Sequence, residues 1–175
     1  MIPYGFLPRT LFAVLLAAAV AILGTALASQ YLGGLQPCEL CLWQRYPYAI
    51  VIGLAGIGLG LARVPAMPQG VLAGLAALIA LALAADAAIA VFHVGVEQHW
   101  WRGSAGCTGE TGGARTAADL ARRLEATPVV RCDEVAWSLL GVSMAGYNAL
   151  AAAALAAYAA AGALAIRRKA KESAT

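Results

Sequence analysis

Four apolar stretches divide the chain, separated by polar and glycine-rich segments. Thr10 to Ala28 is almost wholly aliphatic and lies inside a charge-free run between Arg9 and Glu39. Tyr46 to Ala62 is the second, and the third runs from about Val71 to Val96, broken only by Asp86 and His93. The fourth lies between Glu134 and Arg167, with its apolar heart from Val142 to Ile166. Each can supply the roughly 17–25 residues that cross a hydrocarbon core of about 30 Å. In lipid the backbone must satisfy its own hydrogen bonds, so these stretches are expected to be helices. The pattern predicts an all-α integral membrane protein: a four-transmembrane-helix bundle forming one membrane domain over 1–175. Its spans are expected at about 10–30, 43–62, 70–96 and 139–166. Outward loops then fall at about 31–42 and 97–138, with a turn at 63–69 and a tail at 167–175 on the other side. Ala117, Leu120, Ala121 and Leu124 recur at helical spacing in the long loop, after a capping-box-like Thr116 and Asp119 and before Thr127-Pro128. A short amphipathic helix is expected there.

The first run has one feature of a cleaved leader, Ala26-Leu27-Ala28, but it is longer than an apolar leader core of about 7–15 residues. It is read as a span. Composition agrees with the bilayer as solvent. Hydrophobic residues make up 62% of the chain and charged ones 12%, against about 25% charged in a soluble domain. The net charge of +3 is unclustered, so no nucleic-acid partner is expected. Six cations (Arg9, Arg63, Arg167, Arg168, Lys169, Lys171) fall on the side of the termini and six (Arg45, Arg102, Arg115, Arg122, Arg123, Arg131) on the other. The first group is denser beside span ends, which favours cytoplasmic termini.

The four cysteines, Cys38, Cys41, Cys107 and Cys132, all lie in the two outward segments. Stray thiols used as small hydrophobes would scatter through the helices, whereas the outward face of a bacterium is oxidising. Disulfide chemistry follows, with three pairings open. Cys38 and Cys41 form a C-x-x-C ahead of a helix, where unpaired N–H groups favour a thiolate. A disulfide between Cys107 and Cys132 would close a long loop and lie open to an attacking thiolate. A zinc site from all four would need a second tightly spaced pair, so no metal is expected. Arg45 follows Cys41 by one helical turn and shares its face. As an isolated residue it reads as an anchor to lipid headgroups; beside a redox cysteine it can stabilise a thiolate and polarise a carbonyl.

The string Pro37-Cys38-Glu39-Leu40-Cys41-Leu42-Trp43-Gln44-Arg45-Tyr46-Pro47, two distal loop cysteines and a basic tail together resemble the DsbB family, the quinone-coupled disulfide generators of the bacterial inner membrane. The resemblance implies a multi-pass inner-membrane enzyme with periplasmic loops and both termini cytoplasmic. It implies that Cys107 and Cys132 form the pair that oxidises a soluble periplasmic DsbA-like dithiol protein, Cys107 making the mixed disulfide. Cys38 would exchange with Cys132, and Cys41 would meet a membrane quinone, ubiquinone or menaquinone, polarised by Arg45. His93 resembles a family histidine lining the quinone pocket.

Other residues are less directed. Asp86 sits deep in the third span, where an ionisable group is either functional or a bonded neutral acid. Glu97, His99, Trp100 and Trp101 mark the outer interface, and Trp43, Tyr46 and Tyr48 either wall the quinone or anchor the second span. Gly53, Gly56 and Gly60 are read as helix-packing surfaces, and Tyr147 and Asn148 as cross-helix hydrogen-bonders. Two rivals stand beside the enzyme reading. One is a non-catalytic membrane protein whose disulfides only brace its loops. The other is a vitamin K epoxide reductase-like enzyme, in which the C-x-x-C follows the loop pair instead of preceding it.

Overall fold

The computed structural model describes residues 6–104, 107, 116, 118 and 130–172. The amphipathic segment expected around residues 116–127 lies almost wholly outside them. Among the described residues, five helices and a hairpin follow in order: α1 (Phe6–Tyr31), α2 (Glu39–Trp43), α3 (Arg45–Leu61), α4 (Gln69–Glu97), β1 (Ser138–Leu139), β2 (Val142–Ser143) and α5 (Met144–Glu172). Three of these stretches are long and apolar enough to cross a membrane: Leu7–Tyr31, Gln69–Glu97 and Met144–Glu172. Helix α3 has 17 residues, about 25 Å at 1.5 Å per residue.

The bundle is dressed for lipid. Val14, Val20, Ile50, Ile57, Leu78, Leu81, Leu150 and Leu164 point outward, while small residues such as Ala55, Ala73, Ala76, Ala159 and Ala163 are buried between helices. Hydrophobic association cannot drive helices together in lipid, so close packing over small side chains does. Helices α4 and α5 share the most extensive contact, α1 lies on α3, and α3 lies on α4. Leu11, Phe12 and Leu15 of α1, with Leu72, Ile79 and Leu83 of α4, form the centre of the core. Arg9 ties α1 to the end of α3 by donating from Nε to the Ala62 carbonyl at 3.0 Å.

Glycines do this packing at positions other than those expected. A Cβ at Gly53, Gly56 or Gly60 would meet nothing within 4 Å, because that stripe of α3 faces away from its neighbours. Gly58 instead admits the Phe12 ring, which would lie 2.5–2.7 Å from an added Cβ, and Gly162 admits Leu11 at 2.6 Å. Spacing on α3 cannot say which glycine stripe meets α1. That depends on the rotation of the helix.

Two helix ends shape the side that carries the cysteines. Helix α4 closes with His99 in the left-handed region (φ 59°). The N–H of His99 bonds the Val96 carbonyl at 3.1 Å and that of Trp100 bonds Gly95 at 2.8 Å, the Schellman pattern. Residues 138–143, of which 139–143 are expected at the head of the fourth span, form a hairpin pairing Ser138 with Ser143 and Leu139 with Val142. Leu140 (φ 52°) and Gly141 (φ 79°) turn it, a two-residue turn whose positive φ values match strand twist. Ser143 then caps α5 by accepting from the Gly146 N–H at 3.1 Å.

Gly58→Ala and Gly162→Ala are expected to destabilise the detergent-solubilised protein by about 1–3 kcal/mol through overpacking, whereas Gly53→Ala leaves it unchanged. Thermal unfolding midpoints of the three variants check this.

Candidate redox site

Cys38 is the N-cap of α2. Its backbone is extended (φ −73°, ψ 173°) and its sulfur accepts the Cys41 N–H at 3.3 Å. One turn brings the two sulfurs to 2.8 Å of each other. Cys38 is buried and Cys41 partly so, both as free thiols. The hydrogen bond from Cys38 is the main reason the Cys41 thiol falls from 9.0 to about 7; the backbone N–H and the Arg45 charge act the same way, against burial and the Glu97 charge. Cys38 moves the opposite way, raised first by its bond to Cys41 and then by burial. One sulfur keeps the proton and the other the negative charge.

Helix α2 stops at Trp43 and α3 starts at Arg45, so Arg45 and Cys41 are not on one helix as the spacing suggested. Gln44 at the joint is still right-handed (φ −68°, ψ −13°), and both residues reach the same cleft. Arg45 donates from Nη1 to Gln30 Oε1 at 2.6 Å, which anchors it to the end of α1. His93 lies behind the pair, with Nε2 3.5 Å from the Cys38 sulfur and 3.9 Å from Glu97 Oε1.

Cys107 and Cys132 are bonded to each other and fully buried. They share one apolar cluster with Cys38 and Val96, against which Leu40, Cys41 and Val130 pack. Ser104 donates to Glu39 Oε2 at 2.8 Å, tying the two cysteine-bearing segments together. All four cysteines therefore meet in one place. Cys38, Cys41 and His93 put three donor atoms within 4.8 Å of one another, one short of a tetrahedral zinc set.

Beside the cysteines lies a cleft of about 670 Å³, within the usual range for a small-molecule pocket. Helices α1 and α5 touch where Leu11 meets Gly162, and both line the cleft, α1 through Ile22 and Ala26 and α5 through Met144 and Ala151. Cys41, Arg45, His93 and Tyr48 all line it. Trp43 and Tyr46 are exposed instead, and Trp101 stacks on Phe92 with ring centroids 5.8 Å apart.

Several residues gain partners that the sequence alone did not assign. Gln44 had no distinguishing signal beyond its place after the C-x-x-C. It bonds His93 Nδ1 at 2.9 Å and Asn148 at 2.7 Å. Asp86 is fully buried and accepts from Asn148 at 3.0 Å. Glu97 accepts a 2.5 Å bond from Ser143.

A helical membrane protein with two abutting cysteine pairs, one bonded and one as a polarised dithiol, beside an apolar cleft defines a membrane thiol oxidoreductase. The family model for disulfide bond formation protein DsbB matches residues 8–162. A disulfide bond formation protein B of Aromatoleum aromaticum is 29% identical over 162 residues, 83% of this chain and 86% of the relative. One from Verminephrobacter eiseniae is 34% identical over 153 residues, 82% and 78% of the two chains. No solved structure matches the chain. The chain belongs to the DsbB family of disulfide bond formation proteins.

In the reduced pair, alkylation of Cys41 is expected to rise with pH and reach half its maximum near the value of about 7. The thiolate is present above that pH and lost below it. Cys38→Ala removes the main stabilising bond and moves the midpoint upward toward an ordinary thiol, about 8.5. Mass spectrometry of iodoacetamide-labelled protein across pH reads both.

Proposed function

We propose that the protein is a quinone-dependent disulfide oxidoreductase that reoxidises a periplasmic DsbA-like dithiol protein. Cys107 and Cys132 accept electrons from that partner, and Cys38 and Cys41 pass them to a membrane quinone. A four-span inner-membrane arrangement goes with this reading: α3 is the remaining crossing and both termini are cytoplasmic. The observation that carries the proposal is the cleft, which sets apolar walls from α1 and α5 around a low-pKa sulfur, Cys41, and a guanidinium, Arg45.

The residues divide the work as follows. A partner thiolate attacks the Cys107–Cys132 disulfide at Cys107, forming a mixed disulfide and freeing the Cys132 thiolate. Cys132 then attacks Cys38 of an oxidised Cys38–Cys41 pair, releasing Cys41 as thiolate. The partner's second thiol resolves the mixed disulfide and leaves oxidised, and Cys107 displaces Cys38 from Cys132. The loop pair is bonded again and Cys38 and Cys41 hold two electrons. That is the arrangement of bonds in this structure. A quinone bound in the cleft supplies the two-electron sink. With a quinone bound there, Cys41 would present the electron-rich sulfur, Arg45 would favour negative charge on the acceptor, and Cys38 would close on Cys41 as both electrons leave, the Cys38 proton and one from solvent completing the quinol.

The energetics suit this acceptor. DsbA is a strong oxidant at about −120 mV, and 30 mV is about 1.4 kcal/mol for two electrons. An acceptor weaker than that cannot regenerate it. A lipid-dissolved quinone can, which gives the enzyme its reason to live in the bilayer.

The test uses purified protein with a reduced DsbA-like protein and a soluble quinone. Quinone absorbance is expected to fall with the wild type and to stay flat with Cys41→Ser. Arg45→Met is expected to slow turnover by about 10²-fold, the effect of losing one preorganised group at a developing oxyanion. A wild type that leaves the absorbance unchanged favours the non-catalytic reading, in which the disulfide only braces the loops. An intact rate in Cys41→Ser means that Cys41 is not the sulfur that meets the quinone.

A further inference from the structure

A chain of polar side chains runs from Cys38 into the bundle, and its polarity is fixed. Gln44 Nε2 lies 2.9 Å from His93 Nδ1 and also donates to the Leu40 carbonyl at 3.2 Å. A carbonyl oxygen only accepts, so the amide nitrogen of Gln44 must be on that side, the side of His93. Gln44 Oε1 accepts from Asn148 Nδ2 at 2.7 Å. The same nitrogen donates to Asp86 Oδ2 at 3.0 Å, and Asn148 Oδ1 accepts the Tyr48 hydroxyl at 2.6 Å. Acceptors at Leu40 and Asp86 thus set the direction of both amides.

The consequence falls on His93. A donor faces Nδ1, so that nitrogen must present its lone pair and the ring hydrogen must sit on Nε2. The other groups facing the ring are acceptors: the Cys38 sulfur at 3.5 Å, the Glu97 carboxylate at 3.9 Å and the Cys132 backbone carbonyl. Of the other charged groups of the cleft, Arg45 is bonded to Gln30, and Arg131 pairs with Asp133 and with Glu134. With Nε2–H directed at its lone pairs, Cys38 has no base behind it. Its own hydrogen is left to the sulfur 2.8 Å away.

We propose that Asp86, Asn148 and Gln44 are positioning residues that lock His93 in the Nε2–H tautomer, so that a donor and not a base faces Cys38 and the proton of the reduced pair stays between the two sulfurs. The opposite tautomer would turn a bare Nε2 toward Cys38. Cys38 would then pass its proton to His93, leaving an imidazolium–thiolate pair with the charge on the wrong sulfur. The quinone-reductase function enters only in naming Cys41 as the sulfur that meets the acceptor. The tests need neither quinone nor partner, so they fail or succeed separately from it.

The chain has two histidines, and His99→Asn leaves His93 alone while keeping a residue that tolerates positive φ. The nitrogen-15 NMR spectrum of histidine-labelled, reduced, detergent-solubilised His99→Asn protein at about pH 7, near the Cys41 value, is expected to show protonated Nε2 and bare Nδ1. A bare Nε2, or an imidazolium, overturns the proposal with no change inside the chain of amides. Gln44→Glu replaces the donor at Nδ1 by an acceptor. It is expected to move the hydrogen to Nδ1 and shift iodoacetamide labelling from Cys41 toward Cys38 by about tenfold. Asp86→Asn keeps an acceptor oxygen and is expected to keep the wild-type tautomer and labelling ratio. Gln44→Leu removes the donor at Nδ1 and is expected to give both tautomers, which serves where Gln44→Glu does not fold. A folded Gln44→Glu or Gln44→Leu with wild-type spectrum and labelling shows that the chain does not set the tautomer, and the proposal fails.

Discussion

One proton held between two sulfurs organises this protein. The Cys38 thiol donates to the Cys41 sulfur, 2.8 Å away. In bulk water such a bond would contribute little. At the edge of a bilayer, with Cys38 buried and Leu40, Val96 and Val130 around it, few other groups can stabilise the anion. The hydrogen bond therefore outweighs both burial and the nearby Glu97 carboxylate in setting the charge on Cys41. Everything else at the site serves to present that charge. The extended backbone at Cys38 makes it the cap of α2, the one-turn helix brings Cys41 onto it, and Gln44 turns the chain so that Arg45 reaches the same cleft.

The bundle packs most closely where large side chains seat on glycines. Where Gly162 takes Leu11 and Gly58 takes Phe12, the helices approach as closely as their backbones allow. Gln44, His93 and Asn148 line the cleft, and Asp86 joins this polar layer through Asn148. Each of its amides has partners for both its oxygen and its nitrogen, as a low-dielectric interior requires.

The sequence carries the chemistry more openly than the geometry. Cys38, Cys41 and Arg45 announce themselves because a C-x-x-C and a nearby cation are rare in a chain with so few charges. The helices announce themselves through uninterrupted apolar runs. Less visible is anything that depends on how helices are rotated. Spacing singled out Gly53, Gly56 and Gly60 as a packing stripe, yet Gly58 is the one that meets α1. Residues 139–143 read as the head of a span because Leu139, Leu140 and Val142 are apolar, while the turn at Leu140 and Gly141 is a backbone property that leucine rarely signals. Gln44 had no motif of its own. Its meaning comes from His93 and Asn148, 49 and 104 residues away, which only the fold brings together.

Arg45 shows how position changes what a charge does. A cation free to settle on the Cys41 sulfur would neutralise it and lower its tendency to give up electrons. Held by Gln30 at 2.6 Å, the guanidinium lines the same cleft as Cys41, and among the effects that lower the Cys41 thiol its charge ranks below the bond from Cys38 and the backbone N–H. The anion is thus made mainly by a neutral donor. Since only interactions that strengthen as charge moves can assist a transfer, the proposed quinone reduction would draw on this division, with the sulfur stabilised by its neighbour and the arginine left to act on the acceptor.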